Sequence, residues 1–232
     1  MKRIAIIPAR GGSKRVPRKN IKDFFGQPII SYSIITALKS ELFDEVMVST
    51  DDEEIAEIAL KYGAKVPFLR SSINSSDKST TVDVIIEVIE WYNNIGVFFE
   101  QASCIYPCSP LLTIQQLKKS YNQLAGDEVD VVFPVVSYSH PIQRAFYLDN
   151  LKKIKPVFDI NNFLGTQHFE STYHDAGMFY SFNIKKVLQN RTLRTNNTKV
   201  IELSQLEAQD IDDLVDWEIA KLKFQIQLNE NV

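Results

Sequence analysis

Short apolar runs alternate along this chain with longer stretches in which apolar residues recur three and four positions apart. The runs predict strands that are buried on both faces, and the first four lie at 4–7, 46–50, 102–106 and 129–136. The stretches between them predict helices at 28–38, 53–62, 82–91 and 113–124. Strands that alternate with helices of this length indicate an α/β fold, in which a mostly parallel, twisted sheet has helices on both faces.

Local signals refine the boundaries of these elements. Thr113 followed by Gln116 is the sequence pattern of a capping box, which predicts where the fourth helix begins. Gly63 stands where a glycine C-cap would end the second helix. Pro134 lacks a backbone N–H, so we expect it to bend or end the strand at 129–136.

The alternation stops between about 137 and 173, where aromatic residues, histidines and polar residues follow one another without a sustained period. A long irregular segment in a compact domain is usually functional or part of an interface. The pattern then resumes with strands at 178–182 and 200–203 and a closing helix at 213–228. We therefore predict one domain over 1–232 with a small lid or dimerisation insertion at about 137–173, and we expect a homodimer.

The composition is that of an ordinary globular protein, with 232 residues, 44% of them hydrophobic and 24% charged, and a formal net charge of -3. The apolar runs are too short to span a bilayer, and the first one ends at Pro8 without the long apolar core of a signal peptide. Two cysteines, Cys104 and Cys108, form neither a disulfide framework nor, by themselves, a zinc site. We expect a cytoplasmic protein that binds no membrane.

Positive charge is concentrated at the start of the chain, where eight basic residues precede the first acidic one, Asp23. Five of them fall within 10–20, the basic loop, which follows the first strand and contains Gly11 and Gly12. Glycines at such a turn let backbone N–H groups approach a ligand, and α/β sheets commonly bind phosphates at strand ends. The local charge suits a triphosphate, although the loop matches neither the P-loop nor the dinucleotide pattern. A solvated basic loop is the alternative, and the acidic total disfavours a nucleic-acid surface.

Two carboxylates, Asp210 and Asp212, follow the last predicted strand and are called the aspartate pair below. On an extended backbone, residues at i and i+2 point to one side, which turns Ile211 toward the core. Magnesium accepts one or two carboxylates together with substrate phosphate oxygens, so the pair fits a metal that is bound through a nucleotide. The alternative is structural, because Asp212 and Asp213 precede the last helix and would favour its dipole.

Other polar features exclude some chemistry and leave some open. The histidines His140, His168 and His174 lack the spacing of zinc ligands. No serine lies in a G-x-S-x-G elbow, which disfavours a serine hydrolase. The polar cluster at 173–177 precedes a strand, so it suits either substrate contacts or a capped turn with a surface histidine.

Four segments of the chain resemble the cytidylyltransferases that activate nine-carbon, sialic-acid-like sugars: IPARGGSKRVPRKN at 7–20, STD at 49–51, PCSP at 107–110 and QDID at 209–212. The first is highly specific to that family, and the resemblance implies its Rossmann-like nucleotidyltransferase fold, with CTP and a nonulosonic acid as substrates and Mg²⁺ as cofactor. It further implies that the triphosphate is held by Arg10, Ser13, Lys19 and Asn20. By the same resemblance, the cytidine part is held by Arg70 and Thr81, and the metal by Asp210 and Asp212.

Within that family, the segments at 141–145 and 173–177 are most similar to the sugar-side motifs of the branch that uses pseudaminic acid for surface or flagellin glycans. An arginine that sialic acid synthetases have near His174 is absent, and Tyr106 replaces their usual glutamine, which weighs against N-acetylneuraminate. The alternative products are CMP-N-acetylneuraminate and CMP-legionaminate. We expect the sugar to be bound, with Arg144 on its carboxylate, by Tyr106, Gln143, Arg144, Tyr173, His174 and Asp175.

The expected reaction is attack of a sugar hydroxyl on the α-phosphorus of CTP, with pyrophosphate as the leaving group. Such a transfer needs alignment and charge neutralisation, which we assign to Arg10, Lys19, Asp210 and Asp212. This hypothesis requires that the basic loop and the aspartate pair meet in space. A metal-dependent glycosyltransferase would also use an Asp-x-Asp pair, and a nucleotide-binding module without turnover is the remaining alternative.

Overall fold

The computed structural model describes residues 1–76, 78–125, 128–158, 165 and 169–230 of the chain. Its strands, in chain order, are β1 (Arg3–Pro8), β2 (Asp23–Phe24), β3 (Gln27–Pro28), β4 (Glu45–Ser49), β5 (Gln101–Ile105), β6 (Val131–Ser137), β7 (Phe146–Leu148), β8 (Ile154–Pro156), β9 (Tyr173–Asp175), β10 (Phe179–Asn183) and β11 (Thr198–Leu203). Its α-helices are α1 (Ile30–Lys39), α2 (Glu53–Lys61), α3 (Thr81–Asn94), α4 (Ile114–Leu124), α5 (Ile184–Asn190) and α6 (Leu214–Glu230).

A mixed seven-stranded sheet forms the centre of the fold, in the order β11-β6-β10-β5-β1-β4, with β9 also paired to β6. The strands β4, β1 and β5 run parallel, as do β6 and β11, whereas β10 is antiparallel to both of its neighbours. The predicted mostly parallel sheet is therefore confirmed. The reversed strand arises because the chain leaves the end of β6 and returns beside that same end.

The sheet is covered on both faces, as the sequence pattern predicts. Alternate residues of β1 supply the two sides, since Ala5 and Ile7 belong to one apolar layer and Ile4 and Ile6 to the other. The helices α1, α2 and α4 bury residues in the first layer, and α3 and α5 in the second. Each of these five helices thus covers one side of the sheet with its apolar stripe.

Helix ends follow the predicted local signals closely. Gln116 N–H donates to Thr113 Oγ1 at 3.2 Å, and Thr113 N–H donates back to Gln116 Oε1 at 2.9 Å, which completes the capping box of α4. Gly63 has a φ of +92° just beyond α2, a conformation that favours glycine. The N-cap of α2 is Asp52, whose side chain accepts the N–H of Ile55 at 3.0 Å.

Pro134 lies inside β6, so the prediction that it could end the strand is wrong. The first residues of β6 pair with β10 and the last ones with β9, and Pro134 falls between the two sets. Its carbonyl accepts the N–H of Ala176, so the proline nitrogen faces the same edge of the strand. At this point the segment between β9 and β10 bulges away from β6 at Gly177, so the hydrogen-bond ladder along this edge of β6 is already interrupted.

The segment predicted as an insertion, 137–173, begins and ends at adjacent positions of the sheet. Ser137 pairs with Tyr173, and Tyr138 N–H donates to the carbonyl of Thr172 at 2.9 Å. The segment contains a short antiparallel hairpin of β7 and β8, which sequence periodicity did not predict because each strand has only three residues. His168 lies outside the described residues. Within the described ranges, every helix is too short or too polar to traverse a bilayer.

Candidate active site

The basic loop and the aspartate pair are in direct contact. Arg15 Nη2 lies 2.6 Å from Asp212 Oδ1, across a sequence separation of 197. Lys19 Nζ donates a hydrogen bond to the carbonyl of Ile211, between the two aspartates. The meeting of these two segments, which the sequence hypothesis requires, is confirmed.

A buried apolar cluster beneath these groups positions both segments. Val16 of the basic loop and Ile211 of the aspartate pair are each 1% exposed and belong to the same cluster. The other buried members of the cluster are Phe24, Ile29, Cys108, Trp217 and Ala220. Complete burial of one such aliphatic side chain is worth about 1.5–3 kcal/mol. Because Ile211 is anchored there, the side chain of Asp212 remains about half exposed, at 49%.

Asn20 holds the basic loop in shape from within. Its side chain is buried, with Nδ2 donating to the carbonyl of Arg10 at 2.9 Å and Oδ1 accepting from Cys108 Sγ at 3.3 Å. Both ends of this amide are therefore bound to the protein. Asn20 positions the loop, and its contact with a nucleotide stays a prediction.

The two glycines of the loop differ in their surroundings. Gly11 N–H donates to Asp51 Oδ1 at 3.0 Å, and a Cβ at Gly11 would lie 2.6 Å from Asp52 Oδ2. A Cβ at Gly12 would meet nothing within 4 Å. Position 11 thus requires glycine, because its backbone lies close to the start of α2. Gly12, next to Ser13, borders open space that a ligand can use.

Arg18 is bound by carboxylates of the protein. It donates to both carboxylate oxygens of Asp52 and to Glu54, which ties the basic loop to the start of α2. These hydrogen bonds raise the pKa of Arg18 and lower the pKa of Asp52. Counting the charges of the loop cannot reveal this partner, because it lies 34 positions away.

Asp210 packs against the bulge between β9 and β10. Gly177 there has a φ of +65°, and a Cβ on it would lie 2.8 Å from Asp210 Cγ. Burial raises the pKa of Asp210, the charge of Asp212 raises it further, and Lys19 opposes both effects. A cation bound between the two carboxylates would relieve their mutual repulsion.

The alternative role considered for the aspartate pair, a favourable interaction with the start of the last helix, is fulfilled by the neighbouring Asp213. Asp213 Oδ1 accepts the N–H groups of Val215 and Asp216 at 2.8 and 3.0 Å, so Asp213 caps α6. No cluster of three or more His, Cys, Asp or Glu side chains in the described part of the chain is arranged to hold a metal. A metal at the aspartate pair would thus need substrate oxygens to complete its ligands, which is the donor set that Mg²⁺ accepts.

Arg70 and Thr81 lie near the ends of the parallel strands, where α/β sheets bind ligands. Arg70 is buried, with Nε 3.0 Å from Ser49 Oγ and Nη2 donating to the carbonyl of Ser49 at the end of β4. This burial lowers the pKa of Arg70. Thr81 begins α3 and is hydrogen-bonded to Tyr106, whose pKa burial raises to about 12.

Asp175 is a predicted sugar contact that also acts electrostatically on the aspartate pair. It accepts hydrogen bonds from Gly177 N–H and the Tyr180 hydroxyl, and Arg194 Nη2 lies 3.5 Å from it. Its charge contributes to the raised pKa of Asp210, so the two carboxylates are electrostatically coupled. Sequence analysis did not single out Tyr180 or Arg194, because neither belongs to a motif.

The remaining predicted sugar contacts lie on β9 and in the insertion. On β9, Tyr173 donates to Glu202 at 3.1 Å, and the ring of His174 lies 5.0 Å from that of Tyr138. Gln143 and Arg144 share the 3-10 turn Ile142–Arg144. The guanidinium of Arg144 lies 6.0 Å from the ring of Phe169. Gln143 Oε1 is buried without a hydrogen-bond partner among the described residues, so a ligand donor can satisfy it.

Comparisons with known proteins show the family and the fold. A family model described as Cytidylyltransferase matches residues 4–229. The chain is 41% identical to a pseudaminic acid cytidylyltransferase of Campylobacter jejuni over 97% of both chains, and 30% identical to a CMP-N,N'-diacetyllegionaminic acid synthase of Legionella pneumophila over 95% of both. Its fold is similar to that of a CMP:2-keto-3-deoxy-manno-octonic acid synthetase complexed with CTP, with a TM-score of 0.72, 16% identity, and coverage of 98% of this chain and 100% of that one.

We expect Gly177→Ala to destabilise the protein more than Gly26→Ala does. Gly177 and Gly26 both have positive φ, so each variant loses about 1–2 kcal/mol to backbone strain. Only the Cβ at Gly177 would also collide with Asp210, whereas the Cβ at Gly26 would meet nothing within 4 Å. The collision should cost about 1–3 kcal/mol more. Urea unfolding measures both losses, and equal values would show that Gly177 and Asp210 are not tightly packed.

Proposed function

Because this chain belongs to the cytidylyltransferase family, we propose that it transfers the cytidylyl group of CTP to a nonulosonic acid, and that this acid is pseudaminic acid. The products are CMP-pseudaminic acid and pyrophosphate. The observation that carries the proposal is the contact of the basic loop with the aspartate pair. Cationic and anionic groups meet there, as a site for a triphosphate and its metal requires.

The triphosphate is bound by the side of the basic loop that borders open space. Arg10, Gly12, Ser13 and Lys19 are the residues proposed for this contact, and Gly11 and Asn20 shape the loop that presents them. The cytidine part lies toward Arg70 and Thr81, at the end of β4 and the start of α3. This arrangement spreads the nucleotide across the ends of the parallel strands.

Asp210 and Asp212 are the residues that would hold Mg²⁺. The bound ion would polarise phosphate oxygens as a Lewis acid. Support comes from the repulsion between the two carboxylates, which contributes to the raised pKa of Asp210. Support also comes from Asp213, which caps α6 and leaves the pair free of that role.

The reaction needs the reacting groups aligned and the departing charge neutralised. A sugar hydroxyl oxygen forms a bond to the α-phosphorus and its proton passes to water, while the bond from that phosphorus to the bridging oxygen breaks and pyrophosphate leaves. Lys19 and Arg10 neutralise the charge on the leaving group. Asp175 and Tyr106 orient the sugar. Tyr106 is hydrogen-bonded to Thr81 at the start of α3, and the charge of Asp175 acts on both Tyr106 and Asp210.

The sugar is recognised by residues of β9 and of the insertion. Gln143 Oε1 accepts a hydrogen bond from an N–H or O–H group of the sugar. Its burial without a hydrogen-bond partner in the described parts of the chain favours this contact. Arg144 binds the sugar carboxylate, and His174 and Tyr173 contact other polar groups. An acid with acetamido groups, such as pseudaminic acid, supplies donors of the kind that Gln143 requires.

The protein also acts as a homodimer in this proposal. Phe146, Leu148 and Ile154 of the β7–β8 hairpin are all more than half exposed, and Leu148 and Ile154 are cross-strand partners. A lone two-stranded hairpin is marginally stable in water, and a contiguous exposed apolar patch usually marks an interface. A second copy of the chain covers this face.

A panel of sugar acids tests the proposed substrate. With CTP and Mg²⁺, pseudaminic acid should release pyrophosphate at least about 10-fold faster, as kcat/KM, than legionaminic or N-acetylneuraminic acid, a discrimination worth about 1.4 kcal/mol. Pyrophosphate release without any sugar acid is the blank. Faster turnover of either competing acid would replace pseudaminic acid as the substrate, and CTP binding without turnover of any acid would contradict the enzymatic assignment.

Asp212→Asn tests the metal assignment. The variant removes one ionic ligand at nearly constant shape, so kcat should fall by a factor on the order of 10² or more. Asp213→Asn is the matched control, because asparagine caps helices as well as aspartate and its activity should stay within about twofold. If Asp212→Asn retained full turnover at limiting Mg²⁺, the metal would not be bound there.

Replacing Leu148 and Ile154 by lysine tests the dimer. Sedimentation of the wild type at micromolar concentration should give a dimer, and the double variant a monomer, because two charges would be buried in the proposed interface. Ile73→Lys changes a residue that is 79% exposed outside the hairpin, and it should leave the dimer intact. A wild-type monomer, or a dimer that survives the double substitution, would remove the hairpin from the interface.

A further inference from the structure

Arg15 binds a carboxylate oxygen of the proposed metal site. Its Nη2 atom lies 2.6 Å from Asp212 Oδ1, and the two side chains are 66% and 49% exposed. A Mg²⁺ ion binds carboxylate oxygens at about 2.0–2.1 Å. Two cations beside one carboxylate repel each other, so binding of the ion weakens the ion pair of the guanidinium with Asp212, and the ion pair weakens binding of the ion.

Arg15 is well suited to leave, in contrast to Arg18 in the same loop. Arg18 is held by both oxygens of Asp52 and by Glu54, and its side chain is only 40% exposed. Arg15 is more exposed and makes its ion pair through a single nitrogen. Exposed ion pairs of this kind are weak and exchange readily with other partners.

The position of Arg15 also lets it bind the phosphates of the nucleotide in the proposed site. It lies between Ser13 and Lys19 in the loop proposed to hold the triphosphate, and its charge suits phosphate oxygens. A nucleotide that enters with its metal thus supplies an anion for Arg15 as it supplies a cation for Asp212.

Building on the proposed function, we propose that Arg15 is an exchangeable gate of the metal site and a further nucleotide-binding residue. It is paired with Asp212 before the nucleotide binds, and it moves to the triphosphate when metal and nucleotide bind together. The exchange disfavours binding of the metal alone and couples it to binding of CTP. The enzyme therefore discriminates in favour of the metal–nucleotide complex.

Binding of Mn²⁺, used as the probe, to the wild type and to Arg15→Gln tests the gate without any turnover. In the absence of nucleotide, the variant should bind Mn²⁺ about two- to fivefold more tightly, the range that the loss of an exposed competing ion pair allows. With Mn²⁺ present, the variant should bind CTP about 10-fold or more weakly, because a charged hydrogen bond to phosphate is lost. Electron paramagnetic resonance of free Mn²⁺ and calorimetry with CTP measure the two affinities.

Two further variants separate the possible outcomes. Lys22→Gln removes the same charge from a residue whose Nζ lies 5.3 Å from the ring of Trp217, and it should change Mn²⁺ affinity less than Arg15→Gln does. Asp212→Asn should abolish binding of Mn²⁺ alone if the proposed metal site is right, and unaltered binding would overturn that site. If Asp212→Asn abolishes binding but Arg15→Gln changes neither affinity, or changes only one of them, the gate is overturned while the metal site stands.

Discussion

The site depends on the burial of two aliphatic side chains, Val16 and Ile211, in one apolar cluster. Ile211 lies between two aspartates and Val16 follows Arg15, so both have charged neighbours that prefer water, and their segments lie at opposite ends of the sequence. Burial of the pair, at about 1.5–3 kcal/mol for each side chain, opposes the entropy of ordering a charged loop. Polar groups contribute less to the meeting itself, because an exposed pair such as Arg15–Asp212 is worth at most about 1 kcal/mol. The apolar contact sets the geometry, and the charges determine what can bind.

The charges of the basic loop divide into fixed and exchangeable groups. Arg18 is fixed to the start of α2, and Asn20 and Gly11 hold the loop backbone, so they preorganise the site. Arg15 has a partner that a ligand can replace. A preorganised loop with a replaceable ion pair suits a nucleotide that binds together with a metal ion. The phosphate can then pair with Arg15 and the metal with Asp212, so neither side chain is left without a counter-charge.

Sequence analysis predicted what depends on neighbouring residues. The capping box of Thr113 and the inward direction of Ile211 follow from spacing alone, and both are confirmed. The direction of β10 and the position of Pro134 within β6 depend on strand pairing between distant segments, so local patterns did not predict them. The same holds for the site: the convergence of loop and aspartates was expected, whereas the packing of Gly177 against Asp210 was not, because only the folded chain brings them together.

The return of the chain to its point of departure, where Ser137 and Tyr173 are neighbours, has an evolutionary consequence. The segment between those positions leaves and rejoins the sheet at one point, so changes in its length and sequence need not shift the register of β6. The residues proposed to bind the nucleotide lie outside this segment, whereas Gln143 and Arg144, proposed to bind the sugar, lie within it. In the function proposed above, changes confined to this segment would alter the sugar preference and leave the nucleotide site intact.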